Sequence, residues 1–405
     1  MDKAPLCDGT KIIVLCFVGF YLPGYKAGGP LRTIANMVSH LNENIEFWIV
    51  TRDRDLGATV AYPEVKVNEW QDVQGARVYY LPPERCTIKV VGKLISQTAH
   101  DVLYLNSFFD FEFSIKPLLA RRLGLISRCP VVLAPRGEFS IGALELKSFK
   151  KKLFIRVSNY LRLYHGVIWQ ASSKLEKRDI IRALDVGGRS IFTAKDLPAK
   201  VSVRVTKATN ITATATCRLI FISRISPKKN LDFALRALAR VKSSLIFDIY
   251  GPIEDEDYWG VCLSLVKKLP KNVSVNYRGF VAPHQVAEVF SGYDLFFFPT
   301  RGENYGHVIA ESLSVGTPVL LSDQTPWQDL ARDELGWDLP LDLDMFVEKI
   351  EKVAGMDIGS RVDWRERVFS RAISRINNKK DVSDNFNLFD FAVNSFERPS
   401  GDVLS

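Results

Sequence analysis

The chain has 405 residues, of which 47% are hydrophobic and 25% charged, with a formal net charge of +8. That length exceeds one ordinary core and predicts two domains, and the balance is that of a soluble globular protein, not a fibrous or disordered one. The six cysteines (Cys7, Cys16, Cys86, Cys129, Cys217 and Cys262) are scattered with no C-x-x-C spacing, which argues against a disulfide framework or a zinc site and fits a reducing cytoplasm.

The longest apolar run near the N-terminus, Ile12 to Leu22, is about half the roughly 20 residues that span a bilayer, so it reads as a buried first strand and not a signal peptide. It ends in a loop containing Gly28, Gly29 and Pro30, and a helix is expected over 31–41. Strands follow at 46–50, 77–81, 102–105, 131–134 and 167–171, with helices near 88–98, 113–123 and 174–182. Pro198 to Ala215 is polar, Thr-rich and free of aromatics, and reads as a linker. The alternation then restarts: strand 218–223, helix 230–241, strand 245–250, helix 258–267, strand 273–277, helix 283–291, strand 294–299, helix 305–314 and strand 319–322. Two doubly wound α/β domains are therefore expected, 1–200 and 201–372, with a tail over 373–405. That tail is read as helical at first, polar through most of 377–387, then apolar from Leu388 to Phe396.

The segment FFFPTRGENYGHVIAESLSVGTPVLLSD, from Phe296 to Asp323, is a strand, loop, helix, turn, strand unit with Glu303 in the loop and Glu311 in the helix. Parallel sheets bind ligands beyond the carboxyl ends of their strands, which is where these two acids fall. Hydrolysis of a sugar bond needs two carboxyls roughly 5–9.5 Å apart. Eight residues of helix rise about 12 Å, so with a helix beginning near Asn304 the two Glu are expected to touch two parts of one extended ligand.

This segment resembles the E-x7-E motif of the retaining GT-B glycosyltransferases (family 4). The resemblance implies that Glu303 faces a donor sugar and Glu311 holds the nucleotide ribose. It covers most of the chain and is strongest from Cys217 to Leu330, and it implies an acceptor-binding domain over 1–200, a nucleotide-sugar-binding domain over 201–372, and a tail over 373–405 that crosses back to the N-terminal domain through Leu388 to Phe396. The string from Phe221 to Asn230 resembles the family's R-x4-K donor-phosphate clamp, with Arg224 and Lys229 as its cations. Two fixed cations at a strand end can stabilise a departing diphosphate; taken alone they are surface charge near a turn. Gly28 and Gly29 precede a helix, where backbone N–H groups can approach an anion, and the family places a Gly-rich loop there. Gly251, Phe280 and Val281 lie in loops that border the base in the family, with packing an equal reading for Phe280. Asn304, Tyr305 and Gly306 are read as opening the helix after Glu303, their N–H groups facing sugar hydroxyls or phosphate.

In the loop Ala134 to Phe139 many family members carry a His that contacts the donor sugar. This chain has Arg136 there, so that role does not transfer directly. Arg136 and Glu138 are expected to point at the cleft between the domains, and the segment Pro135 to Lys151 looks like a bacterial surface-polysaccharide subgroup. The five His show no metal-ligand spacing. Asp53-Arg54-Asp55 is read as a solvated loop, and no metal and no cofactor are expected. The span Lys147 to Arg162 is a basic amphipathic helix. It fits an anionic membrane surface, or a helix packed on its own domain with its basic face in water.

These readings converge on GT-B architecture. The resemblance implies a retaining, metal-independent glycosyltransferase acting from a nucleotide-diphosphate sugar on a glycan or lipid-linked acceptor in lipopolysaccharide, O-antigen or capsule assembly. It would be cytoplasmic, with peripheral contact at the inner face of the plasma membrane through 147–162. The alternative is a non-catalytic nucleotide-sugar binder. No nucleic-acid motif accompanies the basic charge.

Overall fold

The computed structural model describes residues 11–140, 143–144, 148–184, 186, 190–200 and 216–397. Residues 201–215 of the expected linker, and Lys147, lie outside this set. The chain divides into two compact units, one of residues 1–200 with 379–405 and one of 201–378.

The first unit is built on an eight-stranded sheet of order β3-β4-β2-β1-β5-β6-β7-β8. Its strands are β1 (Ile12–Phe17), β2 (Ile45–Arg52), β3 (Trp70–Val73), β4 (Ala76–Leu81), β5 (Val102–Asn106), β6 (Val131–Ala134), β7 (Val167–Ala171) and β8 (Ile191–Thr193). All pair in parallel except β3, which runs antiparallel to β4. The central strands are apolar without alternation because both faces are covered. Leu15, Phe17, Leu103, Leu105 and Leu133 point into one buried cluster, and Val14, Cys16, Val102, Tyr104 and Val132 into another. The pleat sends neighbours to opposite faces, so one run feeds two cores.

In the tail a single helix spans Lys379–Glu397, through the stretch read as polar. Leu388, Phe389 and Ala392 are buried in the first unit's core, and the Phe389 ring meets Tyr104 at 5.2 Å edge-on. The polar stretch stays helical because its interior-facing member, Asn385, is fully buried and hydrogen-bonded: its amide donates to the carbonyl of Lys195 at 2.7 Å, and Gln170 donates to its Oδ1 at 3.3 Å.

The second unit is a six-stranded parallel sheet of order β11-β10-β9-β12-β13-β14. Its strands are β9 (Cys217–Ile222), β10 (Leu245–Tyr250), β11 (Val273–Gly279), β12 (Leu295–Phe298), β13 (Val319–Ser322) and β14 (Gly336–Leu339). From β9 the chain winds out to β10 and β11, crosses back, and winds the other way through β12, β13 and β14. The order reverses between β9 and β12, and such a reversal opens a ligand-sized crevice at the strand carboxyl ends. In the first unit the corresponding reversal falls between β1 and β5. Both units are Rossmann-like, and β3, β8 and β14, all short, are the strands the sequence reading passed over.

Candidate nucleotide-sugar site

In the second unit the loops after β9 and β12 flank the reversal point and are laced together. The N–H of Arg301 donates to the carbonyl of Lys228 at 2.9 Å, and Thr300 Oγ1 donates to the same oxygen at 3.2 Å. Asn230, buried and left-handed at φ 61°, donates from its amide to the carbonyl of Pro299 at 2.9 Å. Side chains from the two loops meet as a result. Lys229 Nζ lies 2.5 Å from Glu303 Oε1, with both side chains only 12% exposed. Thr300 Oγ1 also reaches Glu303 Oε1, at 3.3 Å, and the Lys229 ammonium lies 5.5 Å from the Phe298 ring centre.

Arg224 is held differently. Its loop is laced to the one after β10: Ile225 N–H donates to Pro252 O at 2.9 Å and Glu254 N–H to Ile225 O at 3.1 Å. The Arg224 guanidinium pairs with Glu254 at 2.5 Å, both about two-fifths exposed. Glu254 was not singled out in the sequence. The signal was topological: in a doubly wound order the loop after the second strand adjoins the loop after the first. Gly251 is fixed by close approach, since a Cβ there would stand 1.9 Å from the carbonyl oxygen of Ser223, at φ +132°.

Glu303 is in the loop, and the helix after it runs His307–Ser314. Asn304, Tyr305 and Gly306 therefore precede the helix and do not open it. Gly306 at φ 81° is its N-cap, a left-handed turn that delays the helical start by three residues from Asn304. Tyr305 is pinned by Trp327, whose indole N–H donates to its carbonyl at 2.7 Å. Glu311 is half-buried on the second turn of that helix. Phe280 is 51% exposed, and Val281 packs partly against the unit's core.

The first unit holds the remaining expected residues. Gly28 (φ 68°) and Gly29 form the open turn into the helix Gly29–Leu41, and a Cβ at either would meet nothing within 4 Å. Arg136 overturns the expectation placed on it. Its side chain is only 5% exposed and forms an ion pair with the still more buried Asp196. It also donates to Asn106 Oδ1 at 2.8 and 3.1 Å and to the Tyr104 hydroxyl. Arg136 itself is left-handed at φ 56°, and its guanidinium turns inward because a buried acid, an amide and a phenol wait there. Glu138 is inward too: Ser107 Oγ, the Phe108 N–H and the Phe109 N–H donate to its carboxylate at 2.7, 2.5 and 3.3 Å. Burial is the largest influence on that carboxyl and lifts it to about 7, against the pull of those three donors.

Asp53-Arg54-Asp55 is likewise not a solvated loop. Asp53 and Asp55 are 2% and 7% exposed; Asp55 accepts from the N–H groups of Tyr25, Lys26 and Leu56, and Asp53 grips Arg54 at 2.7 Å. Among the described residues no group of three or more His, Cys, Asp or Glu gathers as a metal site, and no helix is long and apolar enough to cross a membrane.

Comparison with known proteins falls into line with this geometry. The two units and their sheets define the GT-B fold. HepE of Anabaena, in complex with UDP and glucose, superposes with a TM-score of 0.68 at 15% identity, over 94% of this chain and 99% of that one. WaaG, a glycosyltransferase involved in lipopolysaccharide biosynthesis, gives a TM-score of 0.62 at 14% identity, over 96% and 100%. Residues 211–370 match the family model for Glycosyl transferases group 1, a stretch that falls within the second unit. In sequence the chain is 25% identical over 162 residues to the O-antigen chain mannosyltransferase B of Escherichia coli, spanning 38% of this chain and 40% of that protein. It is 32% identical over 113 residues to the D-inositol 3-phosphate glycosyltransferase of Rhodococcus erythropolis, spanning 25% of each. The chain thus spans about two-fifths or less of the length of these curated relatives.

Proposed function

We propose that the protein is a retaining, metal-independent glycosyltransferase that moves a hexose from a nucleotide-diphosphate sugar to the hydroxyl of a glycan or lipid-linked acceptor in lipopolysaccharide, O-antigen or capsule assembly. The observation that carries this reading is the Lys229–Glu303 pair at the strand reversal of a Glycosyl transferases group 1 domain. Each clamp cation is held by a carboxylate, Lys229 by Glu303 and Arg224 by Glu254. A diphosphate carries more charge than either acid and offers several acceptor oxygens, so it competes for both cations. On its arrival Lys229 and Arg224 turn to the phosphates, and Glu303 is released toward the sugar. Positive charge fixed before the reaction then stabilises the leaving diphosphate without reorganisation. Glu311 takes the ribose, and Gly251, Phe280 and Val281 border the base. Asn304, Tyr305 and Gly306 offer backbone N–H groups at the mouth of the helix. The Gly28-Gly29 turn of the first unit, where a Cβ at either glycine would meet nothing within 4 Å, leaves room for the same kind of anion at the start of its helix. Arg136 is not part of this chemistry.

A cytoplasmic, membrane-peripheral location is part of the proposal. The helix Ser148–Tyr160 buries Ile155 and Ser158, yet leaves Phe149, Leu153, Val157 and Tyr160 at 79, 52, 45 and 88% exposure beside Lys150, Lys152 and Arg156. Exposed apolar side chains among cations suit an anionic bilayer surface. Co-sedimentation with vesicles containing phosphatidylglycerol, but not with pure phosphatidylcholine vesicles, and its loss in Phe149→Asp with Leu153→Asp, is the expected result.

The deciding experiment is thermal-shift screening against UDP-, GDP- and ADP-sugars, followed by transfer assays. Arg224→Ala and Lys229→Ala are each expected to lower turnover at least ~100-fold, the scale for one preorganised charge contact. Wild-type turnover in both would overturn the assignment. Protection by a nucleotide sugar without transfer to any acceptor would leave a binder and not an enzyme.

A further inference from the structure

A cavity of about 430 Å³ opens beside the loops after β9 and β12 on the second unit, lined by Asn230, Phe233, Arg236, Arg301, Gln324 and Leu341. Phe233 and Leu341 give it an apolar wall, with Phe233 steadied edge-on by Phe346 at 5.1 Å. Its cations come from two elements. Arg236, on the helix Leu231–Leu238, is half-exposed and shares its charge with Asp232 at 2.8 Å. Arg301 follows β12, and its Nε donates to Asn230 Oδ1 at 3.0 Å. That bond fixes the plane of the guanidinium, while its two terminal nitrogens have no partner among the described residues. Asn230 in turn is buried and held on its other side by Pro299, so the brace cannot swing away.

A planar fork fixed at its root and unoccupied at its tips matches a two-oxygen acceptor such as a carboxylate or phosphate. An aromatic face next to it suits the C–H face of a pyranose ring. We infer that this cavity is a binding site for an anionic sugar, its ring against Phe233 and its carboxylate or phosphate on Arg301 and Arg236. It is separate from the diphosphate clamp, whose cations are Arg224 and Lys229. It touches that clamp through the backbone, because Arg301 bonds to Lys228 and stands two residues from Glu303.

The test is calorimetric titration of the full chain with glucuronate, glucose 6-phosphate, glucose and inorganic phosphate, each with and without saturating UDP. Binding of glucuronate or glucose 6-phosphate that persists under UDP, with glucose at least tenfold weaker, supports the site, and the stronger of the two anions identifies the carboxylate or the phosphate form. Arg301→Gln and Arg236→Gln are each expected to weaken that binding at least ~10-fold, the scale of a lost charged hydrogen bond, while Arg236→Gln leaves protection by UDP intact. Displacement by UDP, equal binding of glucose, inorganic phosphate binding as tightly as either sugar, wild-type affinity in both variants, or no binding of either anionic sugar would overturn it. The competition with UDP uses the unaltered protein, so it decides even if a variant fails to fold. Failure of UDP itself to bind would count against the donor site and leave this titration readable.

Discussion

Breaking the Lys229–Glu303 pair separates its two jobs. At 2.5 Å the gross attraction is about 6–7 kcal/mol at an effective dielectric of about 20, and desolvating two mostly buried charges returns most of that. A net coupling of about 2 kcal/mol is left. Lys229→Met strands a carboxylate that is 12% exposed, and costs about 3 kcal/mol. Glu303→Gln keeps a carbonyl that the ammonium can still donate to, and costs about 2 kcal/mol. The double variant is expected to cost about 3 kcal/mol and not the sum of about 5. Hydrogen exchange across a urea series, read on peptides covering Phe296 to Ser322, reports this unit's own stability, which a whole-chain melt of two units would blur. Nucleotide binding moves the other way: Lys229→Met loses UDP protection, whereas Glu303→Gln removes the acid that competes for Lys229 and tightens UDP while abolishing transfer. Additive single costs, or Glu303→Gln weakening UDP as much as Lys229→Met does, would refute the exchange of partners.

Gly251→Ala forces a Cβ to within 1.9 Å of a backbone oxygen, so it is expected to destabilise the second unit by about 3 kcal/mol and to lose UDP protection by moving the Arg224 loop, both read in one thermal-shift series. Glu138 is raised from 4.5 to about 7 in the fold, so its contribution is fully present below the unfolded value and is lost as pH rises through about 7. That is about 3 kcal/mol of first-unit stability. Urea melts at stepped pH are expected to show this fall in the wild type and a flatter line in Glu138→Gln, and identical slopes would refute it. Phe389→Ala removes a fully buried ring and is expected to cost about 4 kcal/mol by chemical denaturation.

Much of the frame was legible because parallel strands buried on both faces read as unbroken apolar runs. β6, β7, β10 and β13 fall where the sequence put them. Short edge strands such as β3 and β8 were not legible, because three or four residues carry no periodicity. In the site, Lys229 and Glu303 were picked out by motif and the fold brings them together. Arg136 was misread because sequence gives position in a loop but not the direction of a side chain. Asp196, its partner, lies 60 residues away, and no local pattern links them. The solvated reading of Asp55 failed for a similar reason: its partners are backbone N–H groups, which leave no mark on composition; Asp53 is paired with the adjacent Arg54.

The closing helix, Lys379–Glu397, belongs to the unit that begins the chain, although all of the other unit intervenes. During synthesis the ribosome therefore delivers every residue of residues 201–378 before the first unit has its last layer. Until then the faces of Phe47 and Tyr104 that meet Phe389 are bare. The later-made lobe can finish first, and the earlier-made one waits as an aggregation-prone intermediate. A ribosome stalled before residue 379 would hold a complete second unit and a first unit whose core is still unsealed, which makes the helix Lys379–Glu397 the step that commits the nascent protein.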